Sequence, residues 1–340
     1  LCDLSVIKKL PVVVREGGWK VTVTLLEDGE AIEIVDVQPG DLVKKRFGIA
    51  VDIGTTSIVV YLVDLVDARI VDVASSYNPQ MKYGDDVITR IVYATSKQNG
   101  LSVMKDLVIS NVNTLTEGIA KKNNIDLNLI DNIVIAGNTT MTHLFYGVNP
   151  QYIREEPYVP VANLFPLTKA KDIGIKVNEQ AVLYSLPSIA SYVGGDITSG
   201  VLASGMCRTK ELILFIDIGT NGEIVLGNCE WFITTACSAG PCFEGGGVKF
   251  GMRAMNGAIE QVTIDRETYE ASYKVIGSVK PTGICGSGMI DAIAEMFLSG
   301  VIDLRGKIQL DISSKRVRSG ENGPEYVLVW KEDAGLEQDI

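Results

Sequence analysis

The chain has 340 residues, of which 46% are hydrophobic and 7% aromatic, and its formal net charge at pH 7 is −11. This composition is that of a globular protein with aliphatic cores, which excludes the disordered and fibrous classes, and the length predicts about two domains. Because the chain is acidic and lacks a basic footprint, we do not expect it to bind nucleic acid or an anionic membrane.

The lack of long apolar stretches and the spacing of the cysteines favour a cytoplasmic protein. No apolar stretch reaches 18 residues without a charge, so we expect no membrane span. The six cysteines lack the spacing of a disulfide framework, which favours a reducing cytosol. Cys237 and Cys242 have the C-x₄-C spacing of a plant-type iron–sulfur site, but Gly245 stands where a third cysteine is required. We therefore expect two small residues that line a turn.

Residues 1–46 predict a small β-rich segment. Residues 19–25 and 31–37 alternate between apolar and polar side chains, and Asp28-Gly29 between them predicts a hairpin turn. The Pro-Gly-Asp sequence at 39–41 and the basic triplet at 44–46 then mark a domain boundary.

From Phe47 the pattern predicts a first half-domain that opens with three consecutive strands, the first pair antiparallel, and continues with helices. A Gly-Asn turn after the fourth strand is followed by a helix for which Thr139 or Thr140 is the predicted cap. A helix of small residues follows the Gly-Gly-Asp sequence at 194–196 and ends at Gly205. The predicted bounds are 47–52, 57–64, 69–76, 132–136 and 181–184 for strands, 87–92 and 101–119 for helices, and 151–165 for a loop.

The second half-domain repeats the three-strand opening. Strands are predicted at 212–217, 223–227, 231–236, 259–264 and 273–279, a glycine-dense turn at 238–247, and a final helix that ends at Leu298. The order β-β-β-helix-β, taken to occur twice, predicts an α/β fold with mixed sheets covered by helices. We expect domains at 1–46, 47–206 and 207–340, the last incomplete at its C-terminal end.

One phrase occurs twice between strands, as Asp-Ile-Gly-Thr-Thr-Ser at 52–57 and as Asp-Ile-Gly-Thr-Asn-Gly-Glu at 217–223. Glycine in such a turn lets the backbone approach a ligand, and successive N–H groups form a concave anion site. Two unrelated hairpin turns are the alternative, since Asp-x-Gly is a common turn composition. Two copies in the same setting favour two half-domains that face each other across one nucleotide.

The residue types of both copies suit a magnesium nucleotide. Asp52 and Asp217 are candidate catalytic residues and candidate ligands of Mg²⁺, which prefers carboxylate, water and phosphate oxygens. The candidate phosphate-binding residues are Gly54, Thr55, Thr56, Gly219, Thr220, Asn221 and Glu223. P-loop and G-x-G-x-x-G motifs are absent from the sequence, so these turns are its main phosphate signal.

Two polar residues at helix starts have two open interpretations each. Asn138 either contacts phosphate, a water on Mg²⁺ or the partner half-domain, or only accommodates a left-handed turn. Asp196 either caps its helix or acts catalytically by positioning water.

Glycine-rich turns supply the remaining candidates. Gly240 lies in the glycine-dense turn, which is explained by close approach of the backbone to a ligand or to a crossing strand. Glu244 either accepts a hydrogen bond from a ribose hydroxyl or is an exposed carboxylate. Gly286 and Ser287 open a helix whose N-terminus either binds an anion or packs tightly on a sheet. His143, the only histidine, is more consistent with packing than with catalysis.

Together these residues resemble the ASKHA superfamily, whose first and second phosphate motifs are similar to residues 52–57 and 217–223. A closer resemblance, over residues 47 to about 305, is to the ASKHA module of reductive activators of corrinoid proteins. The motifs that carry it are 50–56, 136–141 with His143 and Gly147, 186–189, 192–196, 217–223, 239–241, 243–245, 251–254, 257–260 and 283–288.

The resemblance implies duplicated RNase H-like, actin-like half-domains and an ATPase that binds ATP and Mg²⁺. It also implies that ATP hydrolysis drives reduction of Co(II) to Co(I) on a corrinoid protein of a methyl-transfer system, and that the protein is a cytoplasmic homodimer. Members carry an N-terminal [2Fe–2S] domain, but this chain has no cluster ligands and begins at Leu1, so we expect the cluster only in a longer parent protein. The alternatives are a small-molecule kinase of the same fold and a non-catalytic nucleotide-sensing module.

Overall fold

A computed structural model describes residues 2–27, 32–219, 221–238, 241–245 and 247–340, with the backbone alone for residues 238, 241 and 244. The chain divides into two compact units. One consists of Leu1–Phe215 with Val225–Thr235, and the other of Ile216–Ile224 with Ala236–Ile340.

The N-terminal segment consists of a helix and a β-hairpin. Helix α1 (Leu4–Glu16) is capped by the Asp3 carboxylate, and strands β1 (Val21–Glu27) and β2 (Ile32–Pro39) pair antiparallel as predicted. The prediction overlooked α1 because a proline lies inside it, which normally breaks a helix. Its valines on one face pack on β2, and that burial holds the helix in place. The predicted Asp28-Gly29 turn lies outside the described residues.

A six-stranded mixed sheet forms the centre of the first unit. Its spatial order is β5-β4-β3-β6-β8-β7, with β3, β6 and β8 parallel to one another and the remaining neighbours antiparallel. This arrangement confirms the predicted mixed sheet. The strands are β3 (Phe47–Ile53), β4 (Ser57–Asp64), β5 (Arg69–Tyr77), β6 (Ile130–Gly137), β7 (Thr168–Lys169) and β8 (Val182–Ser185).

Helices of the first unit cover this sheet. Met104, Val108 and Val112, spaced four residues apart on α3, are fully buried in the same core as the inward residues of β3 and β4. The helices are α2 (Val87–Ser96), α3 (Gly100–Lys122), α4 (Thr139–Tyr146), α5 (Ala170–Ile173) and α6 (Gly195–Ser204).

Three further strands repeat the opening of the first half-domain. Strands β9 (Ile213–Ile218), β10 (Asn221–Asn228) and β11 (Trp231–Ser238) form a sheet of order β11-β10-β9. The predicted order β-β-β-helix-β is wrong for this second copy: where that order has a helix, the described residues form a short 3-10 turn at Pro241–Glu244, within the glycine-dense turn predicted for 238–247. Glycines with positive φ follow it, at 88° for Gly245, and such residues do not continue a helix.

The second unit has its own sheet and helix. Its core is formed by inward residues of β12 and by side chains of the final helix, with Ile259 and Val262 almost fully buried. The elements are β12 (Ala258–Ile264), β13 (Ala271–Val275), β14 (Gly283–Ile284), α7 (Gly286–Leu298), β15 (Val317–Gly320) and β16 (Gly323–Tyr326). Within the described ranges, no helix has the length and apolar character needed to cross a membrane.

Candidate functional site

The first Asp-Ile-Gly-Thr turn lies where the parallel strands β3, β6 and β8 end. Asp52 is exposed near the end of β3, opposite Ala136 of β6 in the strand register. The side chains of Thr55 and Thr56 are each only 7% exposed, so the turn is held by its surroundings. Carboxyl ends of parallel strands form the usual ligand crevice of α/β sheets, which makes this edge the candidate site of the first unit.

Asn138 joins the second loop of this edge to the first. Its Nδ2 donates to Thr55 Oγ1 at 3.0 Å, while its Oδ1 accepts from the backbone N–H of Met141 at 2.9 Å. The predicted cap, Thr139 or Thr140, is therefore wrong: Asn138 caps α4. The left-handed interpretation is also wrong, because φ of Asn138 is −61°. The Thr55 hydroxyl accepts from Asn138 and keeps its own proton for donation.

The N-terminus of α6 packs directly on this loop. A Cβ at Gly194 would lie 2.5 Å from the carbonyl oxygen of Gly137 and even closer to Cα of Asn138, so the contact requires glycine. Gly194 is the N-cap, and Asp196 lies within the first turn of the helix. The cap interpretation of Asp196 is therefore wrong, although its carboxylate still complements the helix dipole.

The sequence analysis missed a buried amide, that of Asn78, which supports the first Asp-Ile-Gly-Thr turn. Asn78 is fully buried after β5, and its Nδ2 donates to the carbonyl oxygen of Gly54 at 2.8 Å. The Asn-Pro-Gln sequence at 78–80 directly after a strand is an ordinary turn sequence and gave no signal that its asparagine is buried.

The second unit carries the other Asp-Ile-Gly-Thr turn. Asp217 is half-buried in β9, and this burial raises the pKa of its carboxyl group. Gly219 donates its N–H to the carbonyl oxygen of Asn221, which closes the turn at 2.9 Å. Glu223 on β10 is 8% exposed. Thr220, a predicted phosphate-binding residue, lies outside the described residues.

Glycines of the second unit serve close backbone packing. A Cβ at Gly245 would lie 2.6 Å from the backbone of Met252, which supports the crossing-segment explanation of the glycine-dense turn. Gly240 and the side chain of Glu244 lie outside the described residues. At the start of α7, a Cβ at Gly286 would collide with the carbonyl oxygen of Phe243.

Ser287 follows at the same helix start. Its hydroxyl donates to the carbonyl oxygen of Glu260 at 2.9 Å, an observation in favour of the packing interpretation of this turn. Anion binding by its N–H groups stays a prediction. Among the described residues no group of acidic, histidine or cysteine side chains is arranged to hold a metal ion, and Cys237 Sγ donates to the carbonyl oxygen of Gly222.

His143 is a core residue of α4. It is fully buried, its Nδ1 lies 2.7 Å from the carbonyl oxygen of Thr139, and its ring meets Phe165 edge-on. Its Nε2 has no hydrogen-bond partner among the described residues. Burial lowers the pKa of the imidazole, so the ring is neutral at pH 7.

The stability of the chain is expected to fall as the pH drops below about 6.5, in part because of His143. Its folded pKa lies below the ordinary 6.5, so the unfolded chain binds the proton first. The contribution of neutral His143 to the free energy of unfolding is fully present above pH 6.5 and is lost as the pH falls toward the folded pKa. Urea unfolding at several pH values checks this, and His143→Gln should show a weaker pH dependence than wild type. Equal dependence in both would contradict the assignment.

Comparisons with known proteins identify what this architecture is similar to. Three family descriptions match consecutive parts of the chain: the RACo linker region at 1–44, the RACo middle region at 47–209, and the C-terminal domain of RACo, the ASKHA domain, at 211–340. A solved structure of a reductive activator for corrinoid, iron-sulfur protein is 44% identical, with a TM-score of 0.89, and covers 100% of this chain and 54% of that chain.

Two curated proteins are also similar. The corrinoid activation enzyme RamQ of Eubacterium limosum is 34% identical over 96% of this chain and 55% of its own length. The [Co(II) methylated amine-specific corrinoid protein] reductase of Methanosarcina barkeri is 25% identical over 76% of this chain and 52% of its own length. The chain thus spans about half the length of the relatives it matches.

Proposed function

Because this chain belongs to the RACo family of reductive activators of corrinoid proteins, we propose that it supplies their ATP-binding and ATP-hydrolysing module. In the complete protein, ATP hydrolysis drives reduction of Co(II) to Co(I) in a corrinoid protein. The observation that carries this proposal is the first Asp-x-Gly-Thr turn, bonded through Thr55 to Asn138, whose own loop packs against the α6 N-terminus. Such a convergence of a turn, a helix N-terminus and hydroxyl groups suits phosphate oxygens.

The roles of the residues follow from their chemistry. In this proposal Asp52 and Asp217 order Mg²⁺ and water, and Asp196 positions the attacking water. The half-buried Asp217 fits a cation, because a carboxylate that burial disfavours is stabilised by a neighbouring positive charge. Mg²⁺ held by these carboxylates would neutralise the negative charge that develops on the phosphate during transfer. The proposed nucleotide-contacting residues are Gly54, Thr55, Thr56, Asn138, Gly219, Thr220, Asn221, Glu223, Gly240, Glu244, Gly286 and Ser287.

The proposed setting is the cytoplasm, where the protein acts as a homodimer on a corrinoid protein of a methyl-transfer system. The electron comes from a [2Fe–2S] carrier that is not held by this chain. The relatives support a corrinoid protein as partner, since their names assign them activation or reduction of such proteins.

A reduction assay tests this function. The full-length protein, supplied with an electron donor, Mg²⁺ and ATP, is mixed with a Co(II) corrinoid protein, and formation of Co(I) is followed by its absorption spectrum. We expect reduction that depends on ATP and stops with a non-hydrolysable analogue. A rate that is the same with and without ATP would reject the proposal.

A further inference from the structure

The first Asp-Ile-Gly-Thr turn, called the first phosphate turn below, is held by one residue at two carbonyl groups, those of Gly54 and Thr56. The side-chain Nδ2 of Asn78 donates to the carbonyl oxygen of Gly54 at 2.8 Å, and its backbone N–H donates to that of Thr56 at 2.9 Å. Asn78 is fully buried, so it cannot itself touch a ligand that enters from solvent.

Fixing a carbonyl group also fixes the N–H group beyond it. A peptide unit is planar and trans, so its C=O and N–H point in opposite directions. When Asn78 holds the Gly54 carbonyl, the N–H of Thr55 must point away from Asn78. Asn138, which contacts the Thr55 hydroxyl, restrains the same residue through its side chain. The direction of an N–H group that the proposed function assigns to phosphate is thereby set from inside the protein.

Asn78 is itself held in one orientation. Its Oδ1 accepts from the backbone N–H of Gln80 at 3.0 Å, which directs Nδ2 toward the turn. The Gln80 side chain donates to the carbonyl oxygen of Met104 at 2.9 Å and accepts from Nη1 of Arg90 at 3.3 Å. Arg90 Nε donates to the carbonyl oxygen of Gly84 at 2.9 Å. A chain of hydrogen bonds therefore connects α2 to the phosphate turn.

Burying this chain of polar side chains costs free energy of desolvation, and stability of the fold alone does not require it. Asn78, Gln80 and Arg90 are all fully buried, and an apolar set of similar volume is often as stable or more stable. What the polar chain adds is a defined backbone direction, because its members are bonded to one another and to the main chain.

We propose that Asn78 is the positioning residue of the first phosphate turn and that Gln80 and Arg90 hold it in place. The proposal rests on nucleotide binding by this chain and assigns to Asn78 no contact with the nucleotide. Its function is to present the N–H of Thr55 to phosphate before the ligand arrives, which lowers the cost of binding and of hydrolysis.

The isosteric variant Asn78→Asp tests the proposal in the full-length protein. The carboxylate still accepts from the Gln80 N–H but cannot donate to the Gly54 carbonyl, which it repels. We expect the Kd for Mg-ATP to rise by roughly tenfold or more. We also expect kcat for ATP hydrolysis to fall, since the turn is misdirected even when it is saturated.

Asn113→Asp is a matched control. Asn113 is also buried, and its amide makes the same two kinds of bond, donating to the Gly174 carbonyl at 2.9 Å and accepting from the Lys176 N–H at 2.8 Å. It ties α3 to a loop and is not bonded to the phosphate turn. This variant should lose a similar amount of stability and keep wild-type Kd and kcat.

The outcomes separate this proposal from the function on which it rests. If wild type binds Mg-ATP and both variants bind it equally well, Asn78 is only structural and the proposal is overturned. If wild type itself does not bind, the proposed function fails and the positioning role fails with it. Should Asn78→Asp not fold, Gln80→Glu tests the support of Asn78: it keeps the acceptor for Arg90 and the N–H bond to Asn78 but loses the donor to Met104. We expect a smaller rise in Kd from this variant, and a wild-type Kd would overturn the positioning role.

Discussion

Asp52→Asn is expected to lower kcat for ATP hydrolysis by roughly 100-fold or more while the free energy of unfolding changes by less than about 0.5 kcal/mol. Asp52 is exposed near the end of β3, so its carboxylate contributes little to the core. The amide of asparagine has nearly the same shape but carries no charge to order Mg²⁺ and its water. Phosphate release at saturating Mg-ATP measures the first effect, and urea unfolding measures the second.

Asp67→Asn is the matched control for this prediction. Asp67 is also exposed, and it lies in the β4–β5 turn, at the opposite end of the sheet from the phosphate turn. Its replacement should leave hydrolysis unchanged. If Asp52→Asn hydrolyses ATP as fast as Asp67→Asn, Asp52 has no catalytic or metal-binding role.

Gly194→Ala is expected to reduce the free energy of unfolding by about 1–3 kcal/mol and to abolish measurable binding of Mg-ATP. The added methyl group would lie 2.5 Å from the carbonyl oxygen of Gly137 and closer still to Asn138 Cα. Both neighbours are backbone atoms, so no flexible side chain can give way. The α6 N-terminus must then move away from the end of β6, and Asp196 moves with it.

Gly118→Ala is the matched glycine-to-alanine control. Gly118 is exposed inside α3, near its C-terminal end, and apart from the helix's own backbone no heavy atom of the described chain lies within 4 Å of its added Cβ. Alanine there should stabilise the protein by about 0.5–1 kcal/mol and leave nucleotide binding intact. Thermal unfolding and calorimetric titration of both variants distinguish the two cases, and similar behaviour of both would contradict the packing argument.

Local patterns in the sequence predicted much of the fold. Strand β4 alternates buried Ile58, Val60 and Leu62 with less buried neighbours, which is the two-residue period the prediction used. The helical spacing of α3 and the three-strand opening of both half-domains were predicted for similar reasons. One error occurred where burial overrode a local rule, at the proline inside α1. Another occurred where the order of the first half-domain was extended to the second, although glycines after β11 prevent a helix there.

The candidate site was predicted only in part. The Asp-x-Gly-Thr turns could be recognised because glycine, hydroxyl and carboxylate groups within a few residues form a local pattern that is typical of phosphate-binding loops. The cap of α4 was assigned to a threonine, since Ser, Thr, Asp and Asn are all good caps and sequence alone does not rank neighbours of this kind. Asn78 was overlooked because its partner is 24 residues away.

The amino-acid sequence by itself determined most of the elements, the two Asp-x-Gly-Thr turns and the family resemblance, because each rests on short motifs of residues that are close together along the chain. The tertiary structure alone decided which residues support the first turn. Asn138 and Thr55 are 83 positions apart and meet only because β6 lies beside β3 in the sheet. The order of strands in the sheet is set by the burial of whole sheet faces. The spacing of residues along the chain therefore does not show which polar groups become neighbours when the strands pair.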